Sequence, residues 1–130
     1  MNKDTGKKIL VIDDEPDVVA YLSTLLEDNG FKTLTASNGE EGLLKAKEAK
    51  PDLVSLDISM PEKSGVKFFR ELQEDSEISN IPVIIVTGVS QDFEKFIKTR
   101  KQVKPPAGYV SKPIDQQEFL KQIRDILKIN

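Results

Sequence analysis

Val83-Ile84-Ile85-Val86 constrains this chain more than any other stretch. Four successive β-branched residues leave no polar face, so a strand built from them must be covered on both sides. Sheets covered on both sides are mostly parallel, because crossover helices supply the cover. The rest of the chain provides such helices. Lys8-Ile9-Leu10-Val11-Ile12 reads as a first strand. Pro16, preceded by an acidic residue as cap, then opens a helix carrying Val18, Leu22, Leu25 and Leu26 at helical spacing. Asn29-Gly30 closes that helix. A second strand runs from Phe31 to Ala36, and Ser37-Asn38-Gly39 leads into a helix with Leu43, Leu44 and Ala46. Leu53 to Leu56 forms a third strand after Pro51, followed by a loop through Pro61 and Gly65 and a helix with Phe68, Phe69 and Leu72. Beyond the Val83 strand come a helix with Phe93, Phe96 and Ile97, the Pro105-Pro106 pair and a short strand around Tyr109-Val110. The last helix carries Phe119, Ile123, Ile126 and Leu127.

A strand and a helix thus alternate five times. The right-handed crossover rule makes a doubly wound five-stranded parallel sheet, an α/β three-layer sandwich, the natural closure. With 130 residues and no linker, repeat or low-complexity tract, the chain is expected to form a single domain over 1–130 with its core at about 8–127.

The composition narrows the chemistry. A net charge of −3 gives no general reason to bind nucleic acid or an anionic membrane. No apolar stretch approaches the roughly 20 residues needed to span a bilayer. The basic start, MNKDTGKK, runs into only four apolar residues, Ile9 to Ile12, so no signal peptide is expected and a cytoplasmic location is. The chain has no cysteine and no histidine. That removes disulfides, thiolate catalysis and Cys-ligated zinc, together with the usual general base and the commonest metal ligand. Chemistry must run on carboxylates, hydroxyls and lysines, which favours a hard cation held by oxygen.

In a doubly wound sheet, ligands sit beyond the carboxyl ends of the strands. Here those ends carry Asp13-Asp14, Asp57, Thr87 and Lys112-Pro113. Taken singly, each has an ordinary role. One of Asp13 and Asp14 serves equally well as a helix cap, Thr87 as a turn residue and Lys112 as a solvated surface lysine. Together they converge on one edge, and three clustered carboxylates repel one another unless a cation such as Mg²⁺ joins them. Carboxylate-held Mg²⁺ with a lysine and a hydroxyl is the apparatus that stabilises a transferring phosphoryl group. There is no GxxxxGK[ST] loop to hold a nucleotide. An aspartate can itself accept phosphate, and Asp57, alone at the end of a central strand, is the best placed; Asp13 and Asp14 then serve the metal.

Four motifs in this order and spacing, "VIDDEPD", "VSLDISMPEKSG", "PVIIVTG" and "YVSKPID", resemble the receiver domain of two-component response regulators, over roughly Lys8 to Leu127. The resemblance implies a flavodoxin-like sheet of order 2-1-3-4-5. It implies Asp57 as phosphoacceptor, taking its phosphoryl group from a phosphohistidine on a histidine kinase or phosphotransfer protein. Asp14, Asp57 and the backbone carbonyl of Ser59 would ligate Mg²⁺, with Asp13 acting through a water. Lys112 would pair with phosphoryl oxygens, and Lys112-Pro113 would be a cis bond. Thr87 would hydrogen-bond the phosphoryl group, Gly88 would leave room for it, and Tyr109 would turn inward as the switch. Ser59 and Val89 stand where the family tunes dephosphorylation. The chain would catalyse only its own phosphorylation and dephosphorylation, and so is not expected to be an enzyme acting on other molecules.

Two departures from the family pattern stand out. The turn before the fifth strand reads "VKPPAGYV", stiffened by Pro105-Pro106 and with Gly108 before Tyr109. The preceding helix carries Lys95, Lys98, Arg100, Lys101 and Lys104, which read first as a solvated face. The sharper alternative is an acidic output partner on the face made by the fourth helix, fifth strand and fifth helix. A phosphorylation-dependent dimer is a further expectation. So is a stand-alone receiver, since nothing follows the last helix, against a piece of a longer regulator. Three competing readings fit less well. A phosphatase of the haloacid dehalogenase type needs an aspartate where Ser59 stands. A flavodoxin-like carrier would not place Asp13-Asp14-Glu15 at its phosphate loop. A pseudo-receiver, acting only as a binding module, would not need the full Asp13, Asp14, Asp57, Thr87 and Lys112 set.

Overall fold

The computed structural model describes residues 4–58, 64–88 and 105–129. Within them lie β1 (Lys8–Ile12), α1 (Pro16–Asp28), β2 (Lys32–Ala36), α2 (Gly39–Ala49), β3 (Leu53–Asp57), α3 (Ser64–Glu74), β4 (Val83–Thr87), β5 (Gly108–Ser111) and α4 (Gln116–Leu127). The strands form one sheet in the order β2-β1-β3-β4-β5, and every pairing is parallel. The expected helix around Phe93, Phe96 and Ile97, its basic cluster from Lys95 to Lys104, and Ser59, Met60, Pro61 and Val89 lie outside the described residues.

Strand alternation sorts the apolar side chains into two layers. Leu10, Ile12, Val54, Leu56, Val83 and Ile85 pack with Ala46, Phe68, Phe69 and Leu72, the inner faces of α2 and α3. Ile9, Val11, Leu53, Ile84, Val86 and Val110 pack with Leu22, Leu26, Phe119, Leu120 and Ile123, the inner faces of α1 and α4. β3 and β4 are buried at every position, as strands covered on both sides must be. β3 extends one residue beyond the expected Leu53–Leu56, so Asp57 is its last residue and is fixed by the ladder.

The ends of the helices set the entry angles toward the carboxyl edge of the sheet. Pro16 begins α1, but the expected acidic cap needs correction: Glu15 occupies the cap position and its side chain makes no cap bond. The Glu15 N–H instead donates to Asp13 Oδ1 at 2.9 Å, an Asx turn that orders the β1–α1 corner. Asn38 Oδ1 accepts from the Glu41 N–H at 2.8 Å to cap α2, and Asp115 does the same for α4 with the Glu118 N–H. After α1, Gly30 takes φ 90°, which suits the one residue without a Cβ.

Asn38→Ala is expected to lower stability by about 1 kcal/mol, and Asn38→Gly by only a few tenths, because glycine keeps the cap backbone accessible. Urea unfolding followed by far-ultraviolet circular dichroism checks the ranking; equal losses would show that the side-chain cap contributes nothing.

Candidate functional site

The same alternation that builds the core decides which strand-end residues meet. Continuing β1 past Ile9 and Val11, the next position in that phase is Asp13; along β3, Asp57 follows Leu53 and Ser55; beyond β5, Lys112 follows Val110. All three are in phase with the α1/α4 face of the sheet. Their charged groups meet there: Lys112 Nζ lies 3.5 Å from Asp57 Oδ2 and 3.5 Å from Asp13 Oδ2. Asp13 and Asp57 are only 2% and 3% exposed, whereas the Lys112 side chain keeps 24% of its surface in solvent. Asp14, one position out of phase, is exposed.

Thr87 is buried at the end of β4, in phase with Val83 and Ile85 and so with the opposite face of the sheet. Its backbone carbonyl accepts the Lys112 N–H at 2.8 Å. This bond continues the β4–β5 ladder beyond Ser111 and carries the lysine to the site. The Lys112–Pro113 peptide that follows is cis. Gly88 is exposed, and a Cβ built there would stand 4.0 Å from Lys112 Cβ. Tyr109 is 53% exposed, in register with Ile85. It stands outward, away from the carboxylates' face. Of the metal ligands expected from the sequence, Asp13, Asp14 and Asp57 come together, and the fourth, Ser59, lies outside the described residues.

Two contacts at this edge were not anticipated from the sequence: the Glu15 N–H on Asp13 and the Thr87 carbonyl on Lys112. The first was legible in principle, since an aspartate two residues before a helix-opening segment is an ordinary Asx-turn signal. The second depends on the register of β4 against β5, which no local pattern encodes.

Burial pushes the Asp13 carboxyl above the ordinary aspartate value, and the neighbouring charges of Asp57 and Glu15 push the same way. The Glu15 N–H and Lys112 oppose the rise without cancelling it. For Lys112, burial is the largest single influence and acts downward, but the combined charges of Asp57, Asp13 and Glu15 and the hydrogen bond to Asp57 outweigh it and raise the lysine. One ammonium therefore faces more negative charge than it can neutralise. Three carboxylates against one lysine leave two uncompensated charges when all are ionised, the charge of one divalent cation.

Asp13, Asp14 and Asp57 each offer a carboxylate oxygen, and these oxygens lie within 4.8 Å of one another. An octahedral Mg²⁺ holds oxygen at roughly 2.0–2.1 Å, so its ligands stand about 3–4 Å apart. The three carboxylate oxygens, within 4.8 Å of one another, stand close to that spacing. The donor set, all oxygen with no nitrogen or sulfur, suits a hard cation and not zinc or copper.

Comparison with known proteins agrees with this arrangement. Residues 9–124 match the response regulator receiver domain family. The chain belongs to that family. It is 39% identical to protein PilH of Pseudomonas aeruginosa over 92% of this chain and 97% of that protein. It is 34% identical to the alkaline phosphatase synthesis transcriptional regulatory protein PhoP of Bacillus subtilis, where it spans 95% of this chain but about half, 49%, of the relative. Among solved structures it resembles chemotaxis protein CheY4 of Vibrio cholerae, with a TM-score of 0.79 and 26% identity over 92% of this chain and 98% of that one. The chain is thus a receiver domain of two-component signalling. Its acidic pocket fits a phosphoacceptor site of the kind at which receivers hold a divalent metal.

The sign of the Asp13 shift gives a stability test. A carboxyl whose folded pKa is raised binds more protons folded than unfolded, so stability falls as pH rises from the unfolded value through the folded one. Above that window the cost of ionised Asp13 is fully present. In metal-free buffer at pH 7, Asp13→Asn is therefore expected to be more stable than wild type by about 1 kcal/mol. Asparagine retains the oxygen that accepts the Glu15 N–H. The advantage should shrink to nothing as pH falls below about 4, where Asp13 is protonated in both states. Chemical denaturation across pH 3.5–8 measures it, and a variant less stable than wild type at pH 7 would reverse the assignment.

Proposed function

We propose that this receiver accepts a phosphoryl group on Asp57 from a phosphohistidine of a histidine kinase or phosphotransfer protein. The observation that carries this reading is the placement of Asp57: a buried carboxylate at the end of a central strand, 3.5 Å from a lysine and within reach of two further carboxylates. These 130 residues contain no histidine, so the donor phosphohistidine lies outside them. An Asp57 carboxylate oxygen attacks phosphorus, the P–O bond forms as the P–N bond breaks, and the imidazole leaves with the electron pair. Lys112 is a mobile ammonium point charge beside that oxygen, suited to meeting the phosphoryl oxygens as negative charge spreads over them.

Asp13, Asp14 and Asp57 would hold Mg²⁺, with the Ser59 carbonyl as the further ligand the family pattern supplies. When bound, the ion neutralises carboxylate repulsion and draws charge from the phosphoryl oxygens. Asp13, already tied by the Glu15 N–H, fixes one side of that cluster, and exposed Asp14 leaves the other open to solvent.

The signalling step is read as a population shift. Thr87 would turn its hydroxyl to the new phosphoryl group, and Tyr109, outward in this structure, would move inward behind it. Because the Thr87 carbonyl holds the Lys112 N–H, a shift at the end of β4 is felt directly at the lysine. The output partner would read the face that contains β5 and α4, or a second phosphorylated copy would pair there. No helix among the described residues is long and apolar enough to cross a membrane, and the cytoplasm, where phosphohistidine donors act, is the compartment this function requires. The chain turns over no substrate besides its own phosphoryl group.

Incubation with acetyl phosphate and Mg²⁺ should add one phosphoryl group to wild type and none to Asp57→Asn, as read by intact mass. Removal of Mg²⁺ with EDTA should abolish the adduct, and Lys112→Ala should slow its formation by about a hundredfold or more, the scale of one lost charge contact in a transition state. An adduct on Asp57→Asn equal to that of wild type would displace Asp57 as acceptor. Tyr21 and Tyr109 are the only tyrosines and there is no tryptophan, so in Tyr21→Phe the intrinsic emission comes from Tyr109 alone. Its emission should change on phosphorylation, and the change should be lost in Thr87→Ala, where the adduct still forms. A signal indifferent to phosphorylation would rule out the proposed movement of Tyr109.

A further inference from the structure

The first turn of α3 lies directly on the backbone that ends β3. A Cβ placed on Gly65 would sit 2.5 Å from the Asp57 carbonyl oxygen, 2.9 Å from Ile58 Cα and 3.3 Å from the Asp57 carbonyl carbon. All three atoms are backbone, so no side chain can swing aside to relieve the overlap. An ordinary carbon–oxygen contact is about 3.3–3.6 Å, so any residue larger than glycine must push the Asp57–Ile58 peptide and α3 apart by roughly 1 Å. The two anchors of Asp57 are fixed on the other side. Its ladder partner is Val86 on β4, and its carboxylate meets a lysine that is itself tied to Thr87.

We propose that Gly65 is a positioning residue for the phosphoacceptor: by lacking a side chain it lets α3 seat against the Asp57–Ile58 peptide and set where the carboxylate stands relative to Lys112 and Asp13. The proposal rests on Asp57 being the acceptor. Its magnitude follows from the geometry already present. Lys112 is 3.5 Å from Asp57 Oδ2, at the outer limit of a hydrogen bond, so displacement of the peptide by roughly 1 Å changes that contact. Misplacement of that size between reacting groups costs as much as a hundredfold in rate.

Glycine at a crowded position can also be needed for packing alone, and the fold supplies its own control. A Cβ on Gly42 of α2 would overlap Ile12 Cδ1 and approach Ile12 Cγ1 at 3.1 Å and Phe68 Cε2 at 3.5 Å. That contact is in the apolar layer with α3 and involves side-chain atoms, none of them in the site. Gly42→Ala thus perturbs the packing of the same layer without pressing on Asp57.

The test compares wild type, Gly65→Ala and Gly42→Ala in buffer with sucrose, which favours the compact state. Rates are divided by the folded fraction from circular dichroism, so partial unfolding does not masquerade as a chemical defect. Two readouts are taken: Mg²⁺ affinity by calorimetry, which needs no phosphorylation, and the rate of acetyl phosphate labelling. Gly65→Ala is expected to bind Mg²⁺ several-fold more weakly and to label at least about tenfold more slowly, with Gly42→Ala matching wild type in both. Wild-type behaviour of Gly65→Ala would overturn the proposal, as would equal losses in the two variants, which would reduce Gly65 to packing. Failure of wild type itself to label at Asp57 would instead strike the acceptor assignment, so the two failures are distinct.

Discussion

Everything at the carboxyl edge of this sheet depends on one unequal balance: a single lysine between two buried carboxylates. Lys112 stands 3.5 Å from both Asp13 and Asp57, which are almost wholly removed from water. Burying a carboxylate is costly, and a pair of them more so, unless a cation is at hand. Lys112 offsets part of that cost and leaves a surplus of negative charge. That surplus fits an acidic cluster of the kind at which receivers hold a divalent metal.

The rest of the fold can be understood as the means of holding this balance in place. The two apolar layers fix the sheet, and the sheet fixes the phase of Asp13, Asp57 and Lys112 on its α1/α4 face. Backbone bonds then trim each member: the Glu15 N–H on Asp13, and the Thr87 carbonyl on the Lys112 N–H. Thr87 belongs to the opposite phase, and Tyr109 stands exposed. The charged cluster and the residues proposed to report on it are therefore on different sides of the same sheet. A signal between them has to pass around the ends of β4 and β5, where the Thr87–Lys112 bond already links the two.

Much of this is legible in the sequence itself. The run Val83 to Val86 demanded a strand covered on both faces, and the alternation of strand and helix demanded crossovers. Asp13, Asp14, Asp57, Thr87 and Lys112 could be picked out because each stands at a strand end, and the motifs around them resemble the receiver family. Sequence and structure differ where local signals compete. An acidic residue before Pro16 reads as a helix cap, yet Glu15 makes no side-chain cap bond, glutamate being longer than the Ser, Thr, Asp and Asn side chains that cap well; the Asp13 side chain takes the Glu15 N–H in an Asx turn. Gly65 read simply as a loop residue before a helix. Its contact with the Asp57 carbonyl spans two elements and leaves no trace in hydropathy.

By itself, the sequence determined the class of fold, the layers of the core and the identity of the charged residues at the strand ends. Periodicity and residue chemistry are local properties, and they survive without knowledge of neighbours. Only the tertiary structure decided which of those residues touch. Register between parallel strands is set by the packing of both apolar layers at once, and a shift of one position would turn Asp57 to the other face of the sheet. That register brings Asp57 and Asp13 to one ammonium, and α3 onto the peptide that follows Asp57.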